Sequence, residues 1–161
     1  KVKVRGPEGQ FVLHQDYSKP AVFLSGGIGV TPFRSMIKYA TDELLPVKII
    51  MFDSNRNPSN ILFKKGFDDW EKVNKNLKII YAISEDDQHE QSSLSTTYDW
   101  KGELGRIDKA MILKHVDANV LNNSIFYICG PPGMLKAMQT LLQEELEIPK
   151  ERIKVEEFTG Y

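Results

Sequence analysis

Residues 21–32 read Ala21-Val22-Phe23-Leu24-Ser25-Gly26-Gly27-Ile28-Gly29-Val30-Thr31-Pro32, and this stretch decides the fold. Ala21-Val22-Phe23-Leu24 is a compact apolar run, as expected of a strand buried on both faces. Gly26, Gly27 and Gly29 permit a tight turn and a close backbone approach. Thr31 is a good helix N-cap, and Pro32 then falls at the first helical position, where proline is tolerated. Phe33, Met36, Ile37 and Ala40 follow on one helical face. The stretch therefore predicts strand, turn and helix, with the unpaired N–H groups of the helix start offered to an anion. Its glycine spacing is not that of the G-x-G-x-x-G dinucleotide fingerprint, and Gly-rich turns of this kind also occur without a ligand.

Working outward, the same alternation repeats. A second buried strand is predicted over residues 47–52 and a third over 77–83. Leu62, Phe63, Phe67 and Trp70 predict an amphipathic helix between them. Residues 85–101 are polar and read as a long loop. A short helix over 107–115 leads to a fourth strand over 125–129. The last long helix covers 131–146, with Leu135, Met138, Leu141 and Leu142 inward, and Ile148-Pro149 stops it. A fifth strand spans 153–158. Apolar strands alternating with helices predict an α/β fold, a doubly wound open parallel sheet of about five strands with helices on both faces. Right-handed crossovers favour the order 3-2-1-4-5. Strands 1 and 4 are then neighbours whose connections leave in opposite directions, and a ligand crevice opens between their carboxyl ends.

The fourth strand runs into Cys129-Gly130-Pro131-Pro132-Gly133-Met134. Gly130 can cap the following helix, Pro131 can start it, and the Cys129 thiol is expected to face the crevice. A lone cysteine is otherwise most often a small core residue. Two Gly/Pro helix starts at neighbouring strand ends build one site.

Composition excludes several classes. The chain has 161 residues, enough for one α/β domain, with 41% hydrophobic and 27% charged residues. A formal net charge of -1 gives no pull toward nucleic acid or an anionic membrane. No apolar run is long enough to span a bilayer, and no secretory signal is visible. The single cysteine forbids an intramolecular disulfide and fits a reducing, cytoplasmic setting. His14, His89 and His115 lack metal-ligand spacing, so no metal site is expected. The chain begins at Lys1 within an alternating Val2, Val4 pattern, followed by the turn Gly6-Pro7-Glu8-Gly9 and the run Phe11-Val12-Leu13. A start inside a strand pattern is what an expression boundary or the excision of a domain would produce.

Taken together, Ser25-Gly26-Gly27-Ile28-Gly29-Val30-Thr31-Pro32, Cys129-Gly130-Pro131-Pro132-Gly133-Met134 and Glu156-Glu157-Phe158 resemble the ferredoxin–NADP reductase superfamily over nearly the whole chain. Gly6-Pro7 with Phe11 is similar to the last strands of that family's flavin-binding barrel. The resemblance implies that residues 1–19 are a barrel tail and linker and that residues 20–161 form the NAD(P)-binding domain of a flavoprotein reductase. Such a domain positions NAD(P)H for hydride transfer to FAD or FMN held by a preceding domain. The whole protein would be an NAD(P)H-dependent flavin oxidoreductase, and the isolated chain would be inactive. Electrons would pass on to an iron–sulfur protein, haem or a small molecule.

Residue by residue, the resemblance implies that Gly26, Gly27, Gly29, Thr31 and Pro32 line the pyrophosphate and nicotinamide path. Cys129 would lie beside the hydride-donating carbon, and Gly130, Pro131 and Met134 would shape the pocket. Glu156 and Phe158 would lie near the flavin; whether Phe158 or Tyr161 covers the ring stays open. A covalent role for Cys129 is not expected, because no sequence neighbour supplies an activating cation or base.

The second strand ends in Asp53-Ser54-Asn55-Arg56, which makes Ser54 and Arg56 candidates for the phosphates of the cofactor. The third ends in Ser84-Glu85-Asp86-Asp87. NADP-dependent relatives often carry an arginine where Glu85 stands. A carboxylate there repels a 2′-phosphate and accepts from ribose hydroxyls, so NAD(H) is favoured over NADP(H). Arg56 and Arg106 leave NADPH binding open from another direction, and Trp100-Lys101-Gly102 with Gly105-Arg106 resembles a loop bordering the nucleotide. The competing reading is a non-catalytic regulatory or interaction module that keeps the nucleotide fold. A response-regulator-like domain would need an acidic pair where this chain has Ser25-Gly26-Gly27.

Overall fold

A computed structural model describes residues 9–84 and 100–157. Six parallel strands form one sheet in the order β4-β3-β2-β1-β5-β6. The strands are β1 (Ala21–Gly26), β2 (Ile49–Asn55), β3 (Leu77–Ile83), β4 (Glu103–Leu104), β5 (Ile125–Gly130) and β6 (Ile153–Glu157). Five of them reproduce the expected 3-2-1-4-5 order. The addition is β4, a two-residue strand on the edge of β3, in register Ala82↔Glu103 and Ile83↔Leu104. Helices α1 (Val30–Asp42), α2 (Lys64–Val73), α3 (Lys109–His115), α4 (Ala118–Asn123) and α5 (Pro132–Thr140) cover both faces.

The period-2 alternation of each strand sorts the core into two layers. Ala21, Phe23, Met51, Tyr127 and Cys129 point to the α1/α2 face, where they meet Phe33, Ile37 and Phe67. Val22, Leu24, Phe52, Phe126 and Ile128 point to the other face, against Ile112, Leu135, Met138 and Leu142. Phe11, Leu13 and Tyr17, in the stretch assigned to the linker, pack on the first layer. His14 seals that contact: its backbone N–H donates to the Tyr127 hydroxyl at 2.9 Å, and its Nδ1 lies 2.9 Å from the same oxygen. Its Nε2 lies 2.9 Å from the Lys19 carbonyl.

Several local expectations are corrected. A 3-10 turn over Gly27–Gly29 makes Gly29 the N-cap of α1, so Thr31 lies inside the first turn. Its hydroxyl donates to the Ile28 carbonyl at 2.8 Å instead of capping. Pro32 is then the third helical residue, where its missing N–H is still no loss. Likewise Pro131, not Gly130, is the cap of α5, and Pro132 starts the helix. Leu62 and Phe63 are more than a third exposed, because Phe63 takes a left-handed backbone (φ 56°) and the helix begins only after it. Asp108 and Asp117 cap α3 and α4 by accepting from the backbone N–H groups of Met111 and Val120, each at 2.8 Å. α4 had no clear periodic signal in the sequence. α5 continues into a π-helical turn over Leu141–Glu145. No helix among the described residues is long and apolar enough to cross a membrane.

Candidate active site

The two glycine-bearing turns meet at the carboxyl ends of β1 and β5, where Ser25 and Cys129 are register partners. Gly26 and Gly130 are both buried and lie against each other. A methyl group on Gly26 would fall 2.2 Å from Met134 Sδ, and one on Gly130 would fall 3.0 Å from the same sulfur. Gly29 meets backbone instead: its added carbon would sit 2.2 Å from the Cys129 carbonyl oxygen. Gly29 is therefore required by packing between the two turns, and a side chain at Gly26 or Gly130 would have to displace Met134. Gly27 differs. It has φ +54°, and an added carbon would meet nothing within 4 Å. The outer side of this turn is open, with Ile28 and Thr31 exposed and Pro32 half-buried. Across it stand exposed Pro131, Pro132 and Gly133, with Met134 half-buried. A turn that presents bare backbone to open space at the start of a helix suits a pyrophosphate, so the residues present fit a dinucleotide.

Cys129 departs from its expected orientation. It has no exposed surface and lies in the layer under α1. Strand parity explains this: Cys129 shares its face with Tyr127, and that face is closed by Val30 and Phe33. Burial, followed by the charge of Glu156, pushes the thiol up to about 12. Glu156 is the register partner of Cys129 on β6 and is itself exposed.

The structure adds a group that sequence reading passed over. Asp53 is fully buried at the end of β2. Ser25 Oγ donates to its Oδ1 at 3.0 Å, and Asn55 Nδ2 donates to its Oδ2 at 3.0 Å. Burial raises the carboxyl to about 6, against the lowering effect of these two hydrogen bonds. The Asn55 carbonyl accepts from the Ser84 N–H at 2.9 Å and the Ser84 hydroxyl at 3.3 Å. The carboxyl ends of β1, β2 and β3 are thus tied in one chain of contacts. Ser54 is half-buried beside Gly26, its register partner, and Arg56 is exposed. The signal for Asp53 was its parity: it shares a face with Met51 at the end of a buried run.

Ser84 therefore lies on the strand-end network, while Glu85, Phe158 and Tyr161 lie outside the described residues. A cavity of about 410 Å³ lies away from the crevice, on the edge of β3, lined by Lys64, Tyr81, Trp100, Glu103 and His115 among others. Its wall is internally bonded: Glu71 accepts from the Ile79 N–H at 2.9 Å and Glu103 pairs with His115 at 2.7 Å. Among the described residues no group of three or more His, Cys, Asp or Glu side chains could hold a metal ion.

Comparison with known proteins agrees with this architecture. The family model described as "Oxidoreductase NAD-binding domain" matches residues 23–140. The NADH-cytochrome b5 reductase 2 of Lodderomyces elongisporus is 29% identical over 136 residues, 83% of this chain and 42% of that protein. An NADH-cytochrome b5 reductase-like protein of Arabidopsis thaliana is 30% identical over 139 residues, 84% of this chain and 38% of that protein. Among solved structures, the Amycolatopsis cytochrome P450 reductase GcoB superposes with a TM-score of 0.76 at 20% identity, over 96% of this chain and 43% of its own. The chain thus spans less than half the length of these relatives.

Proposed function

The chain belongs to the oxidoreductase NAD-binding domain family, the nicotinamide-binding module of the ferredoxin–NADP reductase superfamily, and on that premise we propose that it holds a reduced nicotinamide dinucleotide in the β1–β5 crevice for a flavin carried by a companion domain. The observation that carries this reading is the interlock of the two turns, Gly26 and Gly29 against Cys129, Gly130 and Met134, which leaves the Gly27 backbone open in front of a helix start. Gly27, Thr31 and Pro32 would receive the pyrophosphate, with Ser54 and Arg56 beside it. Pro131 and Met134 would bound the nicotinamide. Cys129 would form the floor beneath it through its backbone, since its thiol is enclosed. Glu156, on the strand next to Cys129, would face the flavin side, and Phe158 or Tyr161 would cover the ring.

When bound, the dinucleotide supplies the hydride; the protein's task is positioning and exclusion of water. The relatives named as NADH-cytochrome b5 reductases and the run Ser84-Glu85-Asp86-Asp87 both favour NADH over NADPH. In the whole protein, FAD or FMN would take the hydride, and an iron–sulfur protein, haem or a small molecule would take the electrons. Calorimetric titration of the chain with NADH and with NADPH tests the reading. Binding of NADH about tenfold tighter than NADPH is expected, corresponding to about 1.4 kcal/mol. Preference for NADPH overturns the cofactor choice, and binding of neither overturns the assignment.

A further inference from the structure

A carboxyl group with no solvent exposure stands directly behind the turn that would receive the pyrophosphate. Asp53 is fixed from two sides, by Ser25 Oγ and by Asn55 Nδ2, each at 3.0 Å. Ser25 is the residue immediately before Gly26-Gly27, and Ser54, the residue after Asp53, is the register partner of Gly26. A buried carboxyl bonded to the strand that carries the turn cannot change charge without the turn sensing it. An anion held at the turn and an ionised Asp53 repel through protein, where screening is weak. A protonated Asp53 removes that repulsion and can still bond to Ser25 and Asn55.

We propose, resting on the nucleotide-binding reading above, that Asp53 makes dinucleotide binding proton-linked: the Ser25–Asp53–Asn55 cluster sets the charge behind the phosphate-facing turn, and the chain takes the dinucleotide more tightly when Asp53 carries its proton. Linkage is reciprocal, so a bound dinucleotide also holds the proton on Asp53. The position of the carboxyl between its ordinary value and neutrality, at about 6, puts the transition in an accessible range.

The ionisable groups around Asp53 are otherwise engaged. On β3, its register partner Tyr81 donates its hydroxyl to Asp68 of α2 at 2.9 Å, and burial, that bond and the nearby Asp68 and Asp53 charges keep the phenol neutral. On α2, Lys64 pairs with Asp68 and lies over the Tyr81 ring, while Glu71 accepts from Ile79. On α1, Arg34 stacks on Phe63 and Trp70. Beyond Asn55, Arg56 is exposed. Among these groups Asp53 is the one both enclosed and next to the turn.

The test is calorimetric titration of the full chain with NAD⁺ between pH 5 and pH 8 at constant ionic strength, for the wild type and Asp53→Asn. The pyrophosphate of NAD⁺ keeps its charge over this range. The wild-type affinity is expected to fall by about fivefold or more from pH 5 to pH 7.5, the low end of common coupling strengths. Asp53→Asn should bind with a flat profile and, at pH 7.5, more tightly than the wild type. Ser25→Ala, which withdraws a hydrogen bond that favours the carboxylate, should move the wild-type transition to higher pH, and it reports on the same linkage if Asp53→Asn folds poorly. Parallel profiles for wild type and both variants overturn the proton linkage while leaving the nucleotide site standing. Absence of NAD⁺ binding in all three proteins at every pH overturns both.

Discussion

Ser25 donates its hydroxyl to the Asp53 carboxylate across the β1–β2 pair, with neither residue exposed. The pair places an acid where a parallel sheet ordinarily has an aliphatic side chain, and this has a consequence for stability that is independent of any ligand. The folded carboxyl titrates at about 6 and its ordinary value is 3.8. A group raised on folding contributes stability that is complete below its unfolded value and is lost as pH rises through its folded value. The loss attributable to Asp53 between pH 4 and pH 7 is about 2 kcal/mol, the larger part of a shift of roughly two units at 1.36 kcal/mol each. Asp16, Asp69, Glu103 and Asp117 are all lowered, by hydrogen bonds to Ser18, Lys72, Lys114 and the Val120 backbone in turn, and they act in the opposite sense. The difference between wild type and Asp53→Asn isolates the buried acid. Urea melts from pH 4 to pH 7 should show the variant gaining relative stability as pH rises; a constant difference refutes the account.

The glycines of the first turn divide by the space around them. Gly29→Ala drives a methyl group to 2.2 Å from the Cys129 carbonyl oxygen, a backbone atom that cannot swing aside. A loss of more than about 2 kcal/mol is expected, as for other overpacked core sites. Gly27→Ala meets open space and carries only the strain of a left-handed alanine, about 1 kcal/mol. The functional order is the reverse of the structural one. Gly27→Ala should weaken NADH binding in a chain that still melts cooperatively, because its methyl group occupies the approach to the turn. Thermal melts beside NADH titrations separate the two effects, and equal stability losses for the two variants would refute the division.

The strand-turn-helix character of residues 21–32 was legible because Val22, Phe23 and Leu24 are apolar without interruption and Gly26-Gly27 ends the run abruptly. From that unit and its repeats came the sheet order. Three kinds of detail were not legible. The helix start moved from Thr31 to Gly29, because a 3-10 turn depends on backbone angles that glycine leaves open. Glu103–Leu104 forms a strand two residues long, too short to carry a period. Cys129 turned inward and Asp53 went unnoticed for one reason: both sit near the carboxyl end of a strand, where parity, and not residue type, decides the face. Counting in twos from Phe23 through its partners Met51 and Tyr127 assigns both correctly.

His14 and Tyr127 tie the segment before β1 to the sheet. Burial is the largest influence on His14 and lowers its titration below 6.5. A depressed histidine contributes stability that is present above its unfolded value and is lost as pH falls through its folded value. Protonation puts a second ring N–H where Nδ1 now meets the Tyr127 hydroxyl. Tyr127→Phe leaves the His14 backbone N–H without that partner and should cost about 1–2 kcal/mol. Hydrogen exchange at residues 11–17 in wild type and variant checks this. Lower protection on acidification in the wild type, with the intrinsic pH dependence of amide exchange removed, and lower protection at all pH values in the variant are the expected results; unchanged protection refutes it.

Cys129 carries the last prediction. A thiol reacts as its thiolate, and both burial and the Glu156 charge work against that form, to a value of about 12. No part of the residue reaches solvent. Native protein at pH 8 should therefore resist iodoacetamide and be modified only on opening of the layer beneath α1, so the rate should follow the unfolding equilibrium as urea is added. Glu156→Gln withdraws one of the two raising influences and leaves burial, the larger one, in place. It should leave the native protein almost as unreactive as before. Rapid modification of the folded wild type would show that the thiol opens to the crevice and would restore the orientation expected from the sequence.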